Sequence, residues 1–188
     1  TILICLFLFG LTVTAQPIFT KADTLRGSLN ENRDWFDVLK YHVYLKPTIE
    51  KKSIEGVAIW KAKVIKKPNK IQIDLQQPLI IDSIKINLAA KGYEHADLNS
   101  IKVPFIRNEN IAIVDPGQSI GKGEFALYIY YHGIPREAIR PPWDGGWIWK
   151  KDANGKPWVS VACQGLGASV WYPCKDLQSD EPDEGASI

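Results

Sequence analysis

Methionine is absent from all 188 residues, and histidine and cysteine number only three each. The histidines, His42, His95 and His132, are followed by Val43, Ala96 and Gly133, so none opens an H-E-x-x-H motif, and no pair has metal-ligand spacing. Hydrolytic zinc centres of that type need two His one helical turn apart with a Glu beside the first. No G-x-S-x-G elbow or phosphate-cradling glycine loop is present, and Gly165-Leu166-Gly167 alone carries little information. Neither charge sign dominates: 23 basic residues face 21 acidic ones, for a net charge of +2. Phosphate backbones demand clustered, unbalanced Lys and Arg, so no nucleic-acid partner is expected. The lysines between 46 and 70 alternate with apolar residues and read as solvated strand faces and turns.

Apolar runs long enough to span a bilayer are also missing. The run Ile2 to Leu11 falls short of the roughly 20 residues a spanning helix needs, and Val13-Thr14-Ala15 supplies small residues for cleavage before Gln16. Residues 1–15 therefore read as a signal peptide without its basic start, with an uncleaved anchor as the alternative. Cleavage would leave an exported protein, periplasmic or extracellular, with no stable membrane insertion. The absence of Met and the lack of any stop-like tail before Ile188 are the pattern of a fragment truncated at both ends. In an exported protein Cys163 and Cys174, eleven positions apart, could pair if the chain between them doubles back to bring their Cα atoms within about 7 Å. An extended strand there would keep them apart, and two unpaired, buried residues is the preferred expectation.

What the chain has is a period of two. Leu39, Tyr41, Val43 and Leu45 alternate with Lys40, His42, Tyr44 and Lys46, the pattern of a half-buried strand. The same pattern fits Ile54 to Ile65, Ile71-Ile73-Leu75, Ile84-Ile86-Leu88, Ile101-Val103-Phe105, Ile111-Ile113 and Phe125 to Tyr131. Turns at Lys67-Pro68-Asn69-Lys70, Asn108-Glu109-Asn110 and Asp115-Pro116-Gly117-Gln118 separate these runs. Short strands at such regular spacing predict an all-β sandwich. Only residues 22–40 offer a helix, capped by Ser28 or Asn30, and Asn32 to Trp35 read equally well as an ordered lead-in. Residues 133–157, rich in Gly and Pro, read as one long loop, which Trp143, Trp147 and Trp149 mark as ordered. Asp176, Asp180, Asp183 and Glu184 fit no calcium loop and read as a solvated acidic turn. Ala186-Ser187-Ile188 looks like the start of a further strand.

The run from Cys163-Gln164-Gly165-Leu166-Gly167 through Trp171-Tyr172-Pro173-Cys174-Lys175-Asp176 to Asp180-Glu181-Pro182-Asp183 resembles a segment of the aminopeptidase N family of zinc metallopeptidases (gluzincins). Asp23 to Leu29, Trp35 to Tyr41, Ile54-Glu55-Gly56 and Gly145-Gly146-Trp147 are similar to further family segments. The resemblance implies a saddle-shaped β-sandwich amino-terminal domain, with a signal peptide at 1–15, a lead-in at 16–36 and a sandwich over 37–188 truncated at its C-terminal end. It also implies that Gln164 binds the substrate's free α-amine and that Gly165 and Gly167 let backbone approach the peptide. The alternative for Gln164 is an amide closing a backbone gap in a strand. Zinc and all catalytic residues would belong to the parent enzyme's missing catalytic domain, leaving no catalytic and no metal residue in this fragment. The partners implied are a peptide held by its amino terminus and that catalytic domain. Two departures stand out: Ala162 occupies the place of a second amide found in many relatives, and Leu177-Gln178-Ser179 help separate Pro173-Cys174 from Asp180-Glu181-Pro182. A reading from another class is a carbohydrate-binding sandwich whose Trp143, Trp147, Trp149 and Trp158 stack on sugars.

Overall fold

The computed structural model describes Lys21 and residues 28–90, 99–117 and 120–188. The signal region, the Asp23 to Gly27 part of the family resemblance and His95 lie outside these residues. Among the described residues eleven strands follow one another: β1 (Phe36–Thr48), β2 (Ser53–Val64), β3 (Ile71–Asp74), β4 (Ile80–Asn87), β5 (Ile101–Val103), β6 (Phe105–Asn108), β7 (Ile111–Val114), β8 (Glu124–Gly133), β9 (Gly146–Lys151), β10 (Pro157–Ala162) and β11 (Ala186–Ser187). A six-stranded sheet has the order β11-β1-β2-β8-β4-β5, a three-stranded sheet the order β3-β7-β6, and β9 and β10 form a hairpin. The fold is all-β, as the alternation predicts, and a 3₁₀ turn, Ala168–Val170, accompanies the described strands.

The core lies between the two larger sheets. Trp60, Phe125, Leu127 and Ile129 from one meet Ile71, Ile73, Ala112 and Val114 from the other, and Trp147 of the hairpin joins them. Aromatic rings cement one end: Trp35 stacks on Phe125 at 5.7 Å, and Phe36 sits edge-on to Trp35 at 5.0 Å.

Several sequence expectations change. No helix forms over 28–40; residues 31–35 turn and β1 starts at Phe36, so the ordered lead-in is what exists. It enters the core, with Arg33 and Trp35 wholly buried. The β1 alternation changes phase, because a bulge between Val38 and Lys40 shifts the register. Phe36 and Val38 therefore face inward before it, and Tyr41 and Val43 after it. The run Ile101-Val103-Phe105 is two strands, since Pro104 has no N–H for a ladder and the chain changes sheet there. The stretch 133–157 is not one loop: β9 pairs with β10 from Gly146↔Ala162 to Lys151↔Pro157. Flanking glycines and prolines disguise a strand that alternates Trp147 and Trp149 with Ile148 and Lys150. β11 joins β1 in parallel at Tyr41 and His42, which confirms the strand start seen in Ala186-Ser187.

Candidate functional site

Strand β10 ends at Ala162 and the chain turns at once. The Cys163 carbonyl accepts hydrogen bonds from the N–H of Leu166 (3.2 Å) and of Gly167 (2.9 Å), so Gln164, Gly165 and Leu166 form a tight reversal. Gln164 sits on this turn rather than on a strand, and its side chain is exposed without a hydrogen bond to the described residues. The gap-closing alternative for Gln164 does not hold.

Gly165 and Gly167 both adopt positive φ, +72° and +73°. The conformation is left-handed, and a side chain strains it. Their surroundings differ: a Cβ at Gly165 would meet nothing within 4 Å, whereas at Gly167 it would stand where the Asp176 carboxylate sits.

That carboxylate belongs to a buried polar brace. Ser169 donates its hydroxyl to Asp176 Oδ2 at 2.7 Å and accepts from Gln76 Nε2 at 3.2 Å. The Asp176 N–H donates to Asp74 Oδ2 at 2.9 Å. Asp74 Oδ1 accepts from Arg33 Nη2 at 2.5 Å and from Gln72 Nε2 at 3.0 Å. Main-chain pairing between Asp74 and Cys174 (2.9 and 3.0 Å) and from the Gln76 N–H to the Ser169 carbonyl (2.8 Å) closes the brace. β3 is therefore buried on both faces rather than half-buried, because Arg33 and the 169–176 segment cover its Gln72 and Asp74 side, which would otherwise be wet. Burial raises the Asp74 carboxyl to about 6 despite the Arg33 guanidinium, which pulls the other way.

The rest of the segment is pinned as firmly. Trp60 Nε1 donates to the Pro173 carbonyl at 3.0 Å, the Lys175 N–H donates to the Tyr41 hydroxyl at 3.1 Å, and Lys175 Nζ donates to the Phe36 carbonyl at 2.7 Å. Leu166 packs where a Gly145 side chain would stand, which joins the turn to the loop before β9. The result is a rigid ledge with an exposed amide at its tip. Asp74 and Arg33 escape sequence reading: Asp74 ends a short apolar run, Arg33 sits between Glu31 and Asp34 in the lead-in, and the two lie about forty positions apart. Of the acidic residues after Cys174, Asp183 and Glu184 are exposed in a turn as read, whereas Asp180 pairs with Lys175 and Asp176 with Ser169.

Cys163 and Cys174 are unpaired, but only Cys174 is buried. Cys163 is exposed because it starts the turn after β10, which corrects the expectation of two buried thiols. Burial pushes both thiols up, Cys174 much further. Native alkylation followed by peptide mass mapping should modify Cys163 and spare Cys174; equal labelling would show that the segment opens. The four tryptophans form no common platform: Trp147 is buried and stacked on Trp149 at 5.3 Å, while Trp143 and Trp158 are exposed. No group of three or more His, Cys, Asp or Glu able to hold a metal occurs among the described residues.

Neither a family model nor a curated protein matches the chain. Solved structures do. An M1 zinc metallopeptidase from Deinococcus radiodurans is 17% identical with a TM-score of 0.54, over 79% of this chain and 31% of that one. Native leukotriene A4 hydrolase from Saccharomyces cerevisiae is 21% identical with a TM-score of 0.57, over 79% and 22%. The yeast hydrolase in complex with bestatin gives 19% and 0.55, over 87% and 26%. The chain has the fold of the N-terminal β-sandwich of M1 peptidases. It spans 31% or less of the length of each of these three solved chains.

Proposed function

We propose that the chain is the amino-terminal, substrate-amine-recognising domain of an exported zinc aminopeptidase. One observation carries this reading: on a fold shared with M1 zinc metallopeptidases, an exposed amide with no described partner stands on a turn that the Asp74–Asp176–Ser169 brace holds still. The Gln164 amide oxygen accepts a hydrogen bond from a protonated α-amine, and its fixed position limits the ordering cost of binding. Gly165 leaves open space beside it for a peptide, and Gly167 shapes the turn. Zinc, bound by a catalytic domain that this chain does not include, supplies the activated water. The chain's own contribution is to grip and orient the amino terminus. Residues 1–15 direct export to the periplasm or the exterior.

In the full-length protein, Gln164→Ala should lower kcat/KM on aminoacyl-p-nitroanilides about 10- to 100-fold, the worth of one hydrogen bond to a charged group. Unchanged kinetics would remove Gln164 from amine recognition. This chain alone should not turn over the substrate, and robust hydrolysis by it would overturn the division of labour.

A further inference from the structure

The loop between β8 and β9 is clamped at its base and bare at its tip. The Ala138 N–H donates to the Trp147 carbonyl at 2.9 Å, and the Trp147 N–H donates to the Arg136 carbonyl at 2.8 Å. Above that base the Asp144 carboxylate accepts the N–H groups of Ile139 and Arg140, each at 2.7 Å, and the Trp143 N–H closes a turn on the Arg140 carbonyl at 2.9 Å. Arg136 Nε donates to the Gly145 carbonyl at 2.9 Å. Despite this fixed backbone, Ile139 and Trp143 are each 80% exposed. A ligand that lands on the indole meets a preset surface, so little further ordering opposes its binding.

Register places this tip beside the ledge. The β9–β10 ladder ends at Gly146↔Ala162, so Gly145 and Cys163 lie one residue past the last rung on adjacent chains. Leu166 packs where a Gly145 side chain would stand, which ties the loop to the turn that carries Gln164. Trp143 is two residues beyond Gly145 and Gln164 one beyond Cys163, which holds their backbones within roughly 16 Å of each other. That is the reach of the first few residues of an extended peptide, at about 3.3 Å each. Trp158, the other exposed tryptophan, pairs with Lys150 four residues further along the hairpin, away from the ledge.

We infer that Trp143 and Ile139 form a subsite for a large apolar side chain among the first three residues of the peptide whose α-amine Gln164 holds; the inference rests on that role of Gln164. The indole offers a broad apolar face to an aromatic or branched side chain. Charge selects against basic ones. Arg136 is held by the Gly145 carbonyl and lies 3.6 Å from Asp144, Asp144 is taken by two N–H groups, and Glu137 pairs with Lys52 at 2.9 Å. Arg140 is exposed and has no side-chain partner among the described residues, so a Lys or Arg side chain that approaches Trp143 meets a like charge.

The test uses the full-length protein and four tetrapeptides: tetraalanine, and the same peptide with one Phe at position one, two or three. Release of the first amino acid gives kcat/KM. At least one Phe peptide should exceed tetraalanine about tenfold or more, and Lys at that position should give no gain. Trp143→Ala should bring the Phe-to-Ala ratio close to one, Trp143→Phe should keep most of it, and Arg140→Glu should raise the Lys peptide relative to the Phe peptide. Because Trp143 is so exposed, its variants should melt with the wild type. Gln164→Ala should lower all the peptides in similar proportion and keep the ratio. A ratio that survives Trp143→Ala, while Gln164→Ala still lowers every peptide, would overturn the subsite and leave the amine grip standing. No hydrolysis of any peptide would overturn both. A drop in melting temperature on Trp143→Ala with the ratio unaltered would assign the loop to a contact between domains instead. Co-sedimentation with phosphatidylglycerol vesicles that Trp143→Ala abolishes, again with the ratio unaltered, would assign it to a membrane surface.

Discussion

Arg33→Ala should cost about 3–5 kcal/mol of unfolding free energy, read from the denaturant midpoint at pH 7, because it breaks a wholly buried ion pair from one side. Arg33 and Asp74 are both almost completely inaccessible, and the pair is joined at 2.5 Å. Without the guanidinium, Asp74 keeps a hydrogen bond from Gln72 and one from the Asp176 backbone, neither of which neutralises it. Against the 5–15 kcal/mol that holds a typical domain folded, this loss takes a large fraction. The deficit should shrink on acidification, since a protonated Asp74 no longer needs the cation. A variant within 1 kcal/mol of wild type at pH 7 would show that the brace is not what holds β3 against the ledge.

The Asp74→Asn variant isolates the protonation side of the same brace. The folded protein holds the Asp74 proton with a value of about 6 against an ordinary 3.8, so burial outweighs its partners. A raised folded value means that this group's favourable contribution is complete below about 3.8 and is lost as pH climbs through about 6. Wild type should therefore gain on Asp74→Asn between pH 7 and pH 4, by at most about 3 kcal/mol. The difference between the two proteins cancels other titrating groups, including the Asp37 carboxyl, which burial and its neighbour Asp180 raise. A difference that runs the other way would mean that the Arg33 cation, not desolvation, dominates at Asp74.

What could be read from the amino acids follows the range of the forces involved. β1, β2 and β8 announce themselves because alternation along a long strand is a local signal, and their inner faces appear as read apart from the phase change at the β1 bulge. The bulges near Leu39 and at Asp82 are invisible to a period-of-two reading, since they depend on partner strands. β9 was masked by its neighbours: Gly145-Gly146 breaks alternation, yet Gly146 must lack a side chain because Ala138 passes within 2.5 Å of where a Cβ would lie. For the ledge, family resemblance located Gln164 but not its support. Arg33, Asp74, Ser169 and Asp176 meet only after the lead-in, β3 and the turn have packed, and no spacing in one chain encodes that meeting.

The two glycines of the ledge should separate sharply under the same substitution. Gly165→Ala meets open space, so it carries only the left-handed backbone penalty of about 1–2 kcal/mol. Gly167→Ala carries that penalty and also displaces the Asp176 carboxylate, which is no loose chain end: Ser169 holds its Oδ2, and its backbone is tied to Asp74. Moving it parts the carboxylate from the Ser169 hydroxyl in a part-buried site, a further loss of about 1–3 kcal/mol. Gly167→Ala should thus lie about 3 kcal/mol or more below wild type and clearly below Gly165→Ala in denaturant. Its amide exchange should rise over 164–170, where the brace is released. Functionally the order should reverse in character. In the full-length protein Gly165→Ala should obstruct the open side of the ledge and raise KM on aminoacyl substrates with only the melting loss of its backbone penalty, whereas Gly167→Ala should move Gln164 itself and lower kcat/KM together with a larger share of stability. Equal stabilities for the two variants would mean that the Asp176 carboxylate has somewhere else to go, and the ledge would then owe its rigidity to the backbone contacts with β3 alone.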